Sequence, residues 1–239
     1  MADAGCPWPA PRYRESTGST NADAAVLAAE GAVDGTCVVA GEQTAGRGRH
    51  DRRWISDPGT GLWSSTIIRE CDHPAHLPLL AALAVVDVGR DVGGVPLAIK
   101  WPNDVLDGAD RKLAGILVEM VAGASIVGIG VNIERPPTEV AHAGSWVGAV
   151  GRSPDRSLVL AGLLVALHAR IRQPWSEVLS DYRSLCRTIG RRVHVALPSG
   201  EEFAAMAMDV TQEGHLLVDT GSTSRIIIAG DVLHATIAP

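Results

Sequence analysis

The sequence predicts an α+β protein, with a sheet backed by helices in the larger part and a small barrel-like β domain after it. Three observations carry this. Residues 76–92 read as a long, largely apolar helix rich in Ala, Leu and Val, the composition of a helix laid across the back of a sheet. Residues 111–120 and 125–132 are β-rich runs separated by a short turn, an antiparallel hairpin. From about Arg187 the texture changes to four short strands with polar turns within about fifty residues.

In chain order, the hydroxyl-rich run Glu15-Ser16-Thr17-Gly18-Ser19-Thr20-Asn21 precedes a helix expected over 22–30 and closed by Gly31. Ser19, Thr20 or Asn21 can cap that helix, yet three polar residues exceed what one cap requires. Residues 36–40 read as a short buried strand, and 61–68 as its neighbour. Residues 97–100 form another strand, which Pro102 stops. Residues 134–153 are irregular. Residues 157–172 are an amphipathic helix, with Leu160, Leu163, Leu164, Leu167 and Ile171 at helical spacing. Pro174 ends it, and a shorter helix is expected over 175–186. His168 reads as a surface residue. The four terminal strands are expected over 191–197, 202–210, 216–219 and 225–228. Asp231 and His234 read as strand or turn polars, since no serine or cysteine accompanies them.

With 46% hydrophobic residues the chain can bury a substantial core, and no apolar run approaches the roughly 20 residues of a membrane span. The first residues lack the basic and apolar regions of a secretory signal, so 1–14 is expected to be a poorly ordered leader. Cys6, Cys37, Cys71 and Cys186 are scattered without C-x-x-C spacing, which fits a reducing cytoplasm better than a zinc or disulfide framework. A net charge of -6 weighs against general nucleic-acid binding. Of 21 basic residues only two are lysines, Lys100 and Lys112. In a chain this rich in Arg, a lysine marks a place where a compact, rotatable ammonium is wanted.

Positive charge is concentrated in Gly46-Arg47-Gly48-Arg49-His50-Asp51-Arg52-Arg53-Trp54, entered through Gln43. Four arginines, two glycines and no aliphatic residue make a polar loop suited to an anion. Projecting from a sheet, it is joined by Lys100, Asn103 and Asp104 at a strand end. Gly115, Gly128 and Gly130 lie inside strands, where glycine weakens the sheet unless something approaches the backbone. A ligand lying across the sheet would account for all three, whereas a bulge or tight packing would account for any one. P-loop, dinucleotide-binding, metalloprotease and serine-hydrolase signatures are all missing. Fixed cations beside neutral polar groups suit the activation of a carboxylate by a nucleotide, because charge accumulates at the α-phosphorus.

At this point the residues resemble a family. Ser19-Thr20-Asn21, Gln43-Thr44-Ala45-Gly46-Arg47-Gly48-Arg49, Lys100-Trp101-Pro102-Asn103-Asp104, the run from Lys112 through Gly115 to Glu119, and Gly128-Ile129-Gly130-Val131-Asn132 are similar, in order, to the signatures of biotin protein ligases. The end, Ala229-Gly230-Asp231-Val232-Leu233-His234, is similar to that family's small β domain. The resemblance spans Glu15 to His234. It implies a class II aminoacyl-tRNA synthetase-like catalytic domain with a mixed sheet over 15–186, and an SH3-like barrel over 187–239.

It also implies that biotin and ATP with Mg²⁺ give biotinyl-AMP. A lysine of a biotin carboxyl carrier domain, in an acyl-CoA carboxylase, then accepts the biotin. By the same resemblance Ser19, Thr20, Gln43 and Arg47 hold the ureido ring. Arg47 to Arg49 hold the valeryl chain and phosphate, and Lys112 bridges the biotin carboxylate and the α-phosphate. Lys100, Asn103, Arg52 and Asn132 belong to the nucleotide side. Asn21, Gly46, Gly48, Trp54, Asp104, Gly115 and Gly130 complete the binding set, while Lys112, Arg49 and Lys100 are the catalytic candidates. The resemblance gives no metal ligands, carrier identity or oligomeric state. The arginine loop is expected to be mobile when empty and closed over the adenylate, which must be kept from water.

Two departures stand out. His50-Asp51 replaces the family's usual glycine and sets a carboxylate beside a phosphate site. Only about fourteen residues precede the first motif, so the DNA-binding winged helix of some members is not expected. Two alternatives use the same residues: a lipoate or octanoate ligase, and a biotin-binding sensor without catalysis. The Gln43 loop and terminal β domain favour biotin, and the intact lysines and loop arginines favour catalysis.

Overall fold

The structure, a computed structural model, describes residues 7–50, 52–228 and 230–234, with Asp231, Leu233 and His234 described by backbone alone. Asp51 therefore lies outside the described residues, as do the side chains of Asp231 and His234.

The larger part holds strands β1 (Arg12–Thr17), β2 (Cys37–Gln43), β3 (Gly61–Ile68), β4 (Ala98–Lys100), β5 (Asp104–Leu106), β6 (Lys112–Val121) and β7 (Ala124–Asn132). They form one seven-stranded mixed sheet in the order β1-β2-β3-β7-β6-β5-β4. Only the β1–β2 pair is parallel; the rest are antiparallel. Helices α1 (Thr20–Ala29), α2 (Leu77–Val88), α3 (Trp146–Val150), α4 (Arg156–Arg172) and α5 (Trp175–Leu185) flank it. Strands β8 (Arg192–Ala196), β9 (Glu202–Val210), β10 (Leu216–Asp219), β11 (Ser224–Ile227) and β12 (Asp231–His234) form a separate antiparallel sheet, ordered β11-β10-β9-β8-β12. Among the described residues, no helix is long and apolar enough to cross a membrane.

Every residue of α2 except Pro78 and Asp87 is buried. The helix is apolar all round because it lies between the sheet and α4. Asp87 is tolerated there because Arg170 of α4 meets it at 2.8 Å. The predicted helix over 76–92 ends earlier as an α-helix. Gly89 starts a π-turn to Gly93, where a Cβ at Gly89 would run into the Leu97 side chain.

The sheet's two faces are read off β7. Val127, Ile129, Val131 and Ile133 are buried on the α2 side. The opposite face runs Ile126, Gly128, Gly130, Asn132, from apolar to small to polar. Ala24 and Ala28 of α1 pack with Val38, Ile67 and Ile126 over its apolar end. The small and polar end stays open.

Four elements differ from the expected set. Strand β1 starts inside the predicted leader; its first five side chains are exposed, so it has no apolar alternation to reveal it, and pairing with β2 alone fixes it. Ahead of it, Trp8 Nε1 donates to Asp34 at 2.9 Å, and its ring meets His168 edge-on. His168 is thus half-buried, and burial lowers its pKa. The turn after Lys100 returns as β5, too short for a pattern, and α3 spans one turn of the irregular region. The terminal sheet has a fifth strand, β12, paired with β8.

Candidate active site

One row of cross-strand partners organises the open face. Trp63 of β3 is opposite Gly130 of β7, Gly130 opposite Gly115 of β6, Gly115 opposite Asp104 of β5, and Asp104 opposite Lys100 of β4. Directly opposed residues point to the same side of a sheet, so this register gathers residues from five strands. One row along, Ser65 is opposite Gly128, and Gly128 opposite Leu117. Above both rows lies a cavity of about 370 Å³.

Of the residues expected in the site, Ser19, Thr20, Asn21, Gln43, Arg47, Gly48, Arg49, Arg52, Trp54, Lys100, Asn103, Asp104, Lys112, Gly115, Gly130 and Asn132 all line this cavity. Gly46 stands just behind the lining. A Cβ there would meet the Trp54 carbonyl and approach Ser56 Oγ at 3.0 Å.

The recognition end is built where α1 starts. Ser19 occupies the N-cap position, yet its side chain makes no capping bond. Its hydroxyl is buried without a partner among the described residues and lines the cavity. Thr20 and Asn21, also buried, turn inward. Gln43 Oε1 accepts from the Thr20 backbone N–H at 2.8 Å and lies 3.0 Å from the Thr20 hydroxyl oxygen, while its Nε2 donates to Ser56 Oγ at 2.8 Å. Ser65 Oγ lies 2.7 Å from Thr20 Oγ1 and 2.6 Å from Asn21 Oδ1. The Gln43 amide, two hydroxyls and Asn21 therefore form one network, fixing each group's orientation. Gly128 is required beneath it, because a Cβ there would run into the Asn21 amide.

The arginine loop folds back on itself. Trp54 N–H donates to Gly46 O at 2.9 Å and Gly48 N–H to Arg52 O at 2.6 Å, with an isolated bridge between Arg47 and Arg53. Gln43 and Ser56 are bridged at its base. His50, at the tip, has φ 54°. Arg49 reaches Asn103 Oδ1 and the Gly230 carbonyl, both at 3.3 Å, so the loop touches the start of β12. Arg47 meets Glu119 at 2.8 Å.

The indole of Trp54 lies on the row's two glycines. A Cβ at Gly130 would be 2.6 Å from Trp54 Nε1, and one at Gly115 2.8 Å from its ring. Of the two explanations for the strand glycines, close packing accounts for each: Trp54 covers two and Asn21 the third. Trp54 Nε1 has no partner among the described residues. Lys112 Nζ sits 5.2 Å from the ring centroid and 2.6 Å from Asp104 Oδ1.

The Lys100 end is held from both parts of the chain. The bond Trp101-Pro102 is cis. Trp101 N–H donates to Thr188 Oγ1 at 3.0 Å, and its indole N–H to the Gly214 carbonyl at 3.0 Å. Asn103 Nδ2 donates to Ile116 O at 2.8 Å, and Asn132 Nδ2 to Gly144 O at 3.0 Å.

Sequence reasoning missed Trp63, Ser65, Trp101, Val140 and Val232 as parts of this site or its supports. Ser65 had a signal. A hydroxyl in a strand whose eight residues are all buried must be hydrogen-bonded to something. Val232 had none, because its position depends on how the two sheets meet. Among the described residues, no group of three or more His, Cys, Asp or Glu could hold a metal ion.

Residues 14–134 match the model of the biotin/lipoate A/B protein ligase family, and 188–234 that of the biotin protein ligase C terminal domain. The chain is 40% identical to the biotin--[acetyl-CoA-carboxylase] ligase of Mycobacterium tuberculosis, over 98% of this chain and 92% of that one. It is 34% identical to the bifunctional ligase/repressor BirA of Bacillus subtilis, over 92% of this chain and 72% of that one. The biotin protein ligase of Aquifex aeolicus in complex with biotin and ATP superposes with a TM-score of 0.86 at 25% identity, covering 95% of this chain and all of that one. With its open-faced mixed sheet, its recognition network and both family models matched in order, the chain belongs to the biotin/lipoate A/B protein ligase family.

Proposed function

We propose that the protein is a biotin protein ligase: it activates biotin with ATP to biotinyl-5'-AMP, then transfers the biotin to a lysine of a biotin carboxyl carrier domain of an acyl-CoA carboxylase. The carrying observation is that one cavity joins a neutral hydrogen-bonding network to a cationic edge. The likeness to ligases named for biotin and acetyl-CoA carboxylase supports the same reading.

In this reading Ser19, Thr20, Gln43 and Arg47 receive the ureido ring. The unpartnered Ser19 hydroxyl is a group a ligand would satisfy. The biotin carboxylate attacks the α-phosphorus and pyrophosphate leaves. Lys112 and Arg49 stabilise the charge that gathers on the phosphoryl oxygens, with Lys100, Arg52, Asn103 and Asn132 on the nucleotide side. Removing one such preorganised charge costs about 10²–10³-fold in rate. Mg²⁺ would enter bound to the ATP phosphates, as is usual for this ion. In the second step the carrier amine attacks the anhydride carbonyl, an amide forms, and AMP leaves. Asp104, beside Lys112, is the carboxylate available to take the amine's proton.

The larger part, over 15–186, is read as a class II aminoacyl-tRNA synthetase-like domain, and 187–239 as an SH3-like one. The cytoplasm is the expected compartment. The deciding experiment is exchange of labelled pyrophosphate into ATP, with lipoate as the control acid and Lys112→Ala and Arg49→Ala as control proteins. Exchange that requires biotin and falls at least 10²-fold in both variants is expected. Exchange with lipoate but not biotin, or none with either acid despite biotin binding, would overturn the proposal.

A further inference from the structure

Glu119 belongs to a motif of the sequence, yet the chemistry above gives it no task. It lies on β6 opposite Ile126, on the open face of the sheet, with its side chain 31% exposed. One of its oxygens, Oε2, accepts two hydrogen bonds. Asn21 Nδ2 donates at 2.7 Å and Arg47 Nη2 at 2.8 Å. The first donor belongs to the recognition network, the second to the arginine loop. Glu119 is thus their shared carboxylate.

The consequence follows from hydrogen-bond chemistry. An ionised carboxylate only accepts, so it orients the Asn21 amide with its NH₂ outward and its oxygen towards the Ser65 hydroxyl. That oxygen draws the single Ser65 hydrogen, so across the 2.7 Å contact between Ser65 and Thr20 the Thr20 hydroxyl is the donor, which sets the polarity of the chain. The same carboxylate anchors the first arginine after Gly46 by a charge-assisted bond. Ring recognition and loop seating therefore share one anchor.

We propose that Glu119 is a positioning residue that couples the seating of the arginine loop to the polarity of the recognition network, and so sets the affinity for the neutral ring of the substrate. This rests on the biotin ligase reading. Neutralising Glu119 as Gln keeps its volume but puts an amide against the Asn21 amide and removes the ion pair with Arg47. The loop then loses its tether, and the Asn21 amide loses its bias.

The test compares wild type, Glu119→Gln, Arg47→Met and the double variant by biotin-dependent pyrophosphate exchange, with melting temperature as the fold control and biotin binding by calorimetry. Glu119→Gln should raise the KM for biotin about 10-fold and weaken biotin binding in step, with kcat within about 3-fold, as for a lost binding interaction. The double variant should be little worse than Arg47→Met, because the two side chains act through one contact. A merely structural role would instead lower kcat and melting temperature with KM unchanged. That outcome, or fully additive effects in the double variant, overturns the proposal. Should Glu119→Gln fail to fold, Glu119→Asp, which keeps the charge but shortens the reach, must show the same rise in KM. A wild-type protein without biotin-dependent exchange would sink the ligase reading itself, whereas wild-type exchange with an unshifted Glu119→Gln would sink only this coupling.

Discussion

A single methyl group at Gly130 tests whether the small residues of the sheet row serve the chemistry. In Gly130→Ala the new Cβ would lie 2.6 Å from Trp54 Cε2 and Nε1. Carbon contacts are comfortable near 3.6 Å, so the indole must rise by about 1 Å. Lys112, over the same ring, must move with it. A misplacement of about 1 Å in a positioned site costs on the order of 10²-fold, or about 2.7 kcal/mol of transition-state stabilisation. Stability should change far less. Overpacking costs about 1–3 kcal/mol in a closed core, and the low end applies where a partly exposed loop residue can yield. That corresponds to a fall in Tm of about 2–4 °C. The assay is kcat/KM for biotin-dependent pyrophosphate exchange beside a thermal melt, with Gly108→Ala as control, since its methyl would touch only Pro96 Cγ at 3.8 Å. An unchanged kcat/KM in folded Gly130→Ala would refute the reasoning.

Two further predictions concern the seam between the sheets. Trp101→Phe removes the donor to the buried Gly214 carbonyl, which should cost about 1–3 kcal/mol and lower Tm by several degrees in a melt followed by circular dichroism; an unchanged melt would show that the indole does not hold the seam. His76 stacks on Trp175 with ring centroids 3.6 Å apart, and its pKa is lowered from 6.5 by burial and by the neighbouring His73 and His215. The unfolded chain therefore binds this proton more readily, so the stabilisation is complete above pH 6.5 and is lost as pH falls below it towards the lower folded value. His76→Phe keeps the stack and removes the titration, so its Tm should decline less between pH 7 and pH 5 than the wild type's. Parallel declines would exclude His76 as the group responsible.

Much of the site was legible because its residues violate local rules. Gly115, Gly128 and Gly130 are wrong for strands, Lys100 and Lys112 are rare in an arginine-rich chain, and the loop cannot bury a face. Apolar or β-rich composition located α2 and the β6–β7 hairpin, and helical spacing located α4, because their side chains pack against a core. Both were silent on β1, whose strand character comes from pairing alone, and on β12, whose partner β8 is distant in sequence. Ser19, Thr20 and Asn21 suggested a cap, yet the helix starts without one and their polar atoms turn to the cavity. Which residue covers each strand glycine was not legible either, since cross-strand register is absent from any one strand's sequence.

That register also explains why two different chemistries share one sheet face without interfering. Along β7 the open face passes from Ile126 under α1, through Gly128 under Asn21, to Gly130 under Trp54 and Asn132. Two residues further along a strand is about 7 Å, so each step is a separate subsite. Across the strands the Gly130 row leads to Asp104 and Lys100, while the Gly128 row leads to Ser65 and the neutral network. Asp104 and Lys100 thus belong to one row and the Ser65–Asn21 network to the next, whose far side is bounded by the Glu119–Arg47 pair. A neutral ring in the Gly130 row would displace water from Lys100 and Lys112 without offering them an anion, and a phosphate in the Gly128 row would meet the Glu119 carboxylate, whose cationic partner Arg47 is already engaged. Each misplacement costs more than the correct one, and the substrate's orientation follows from that difference.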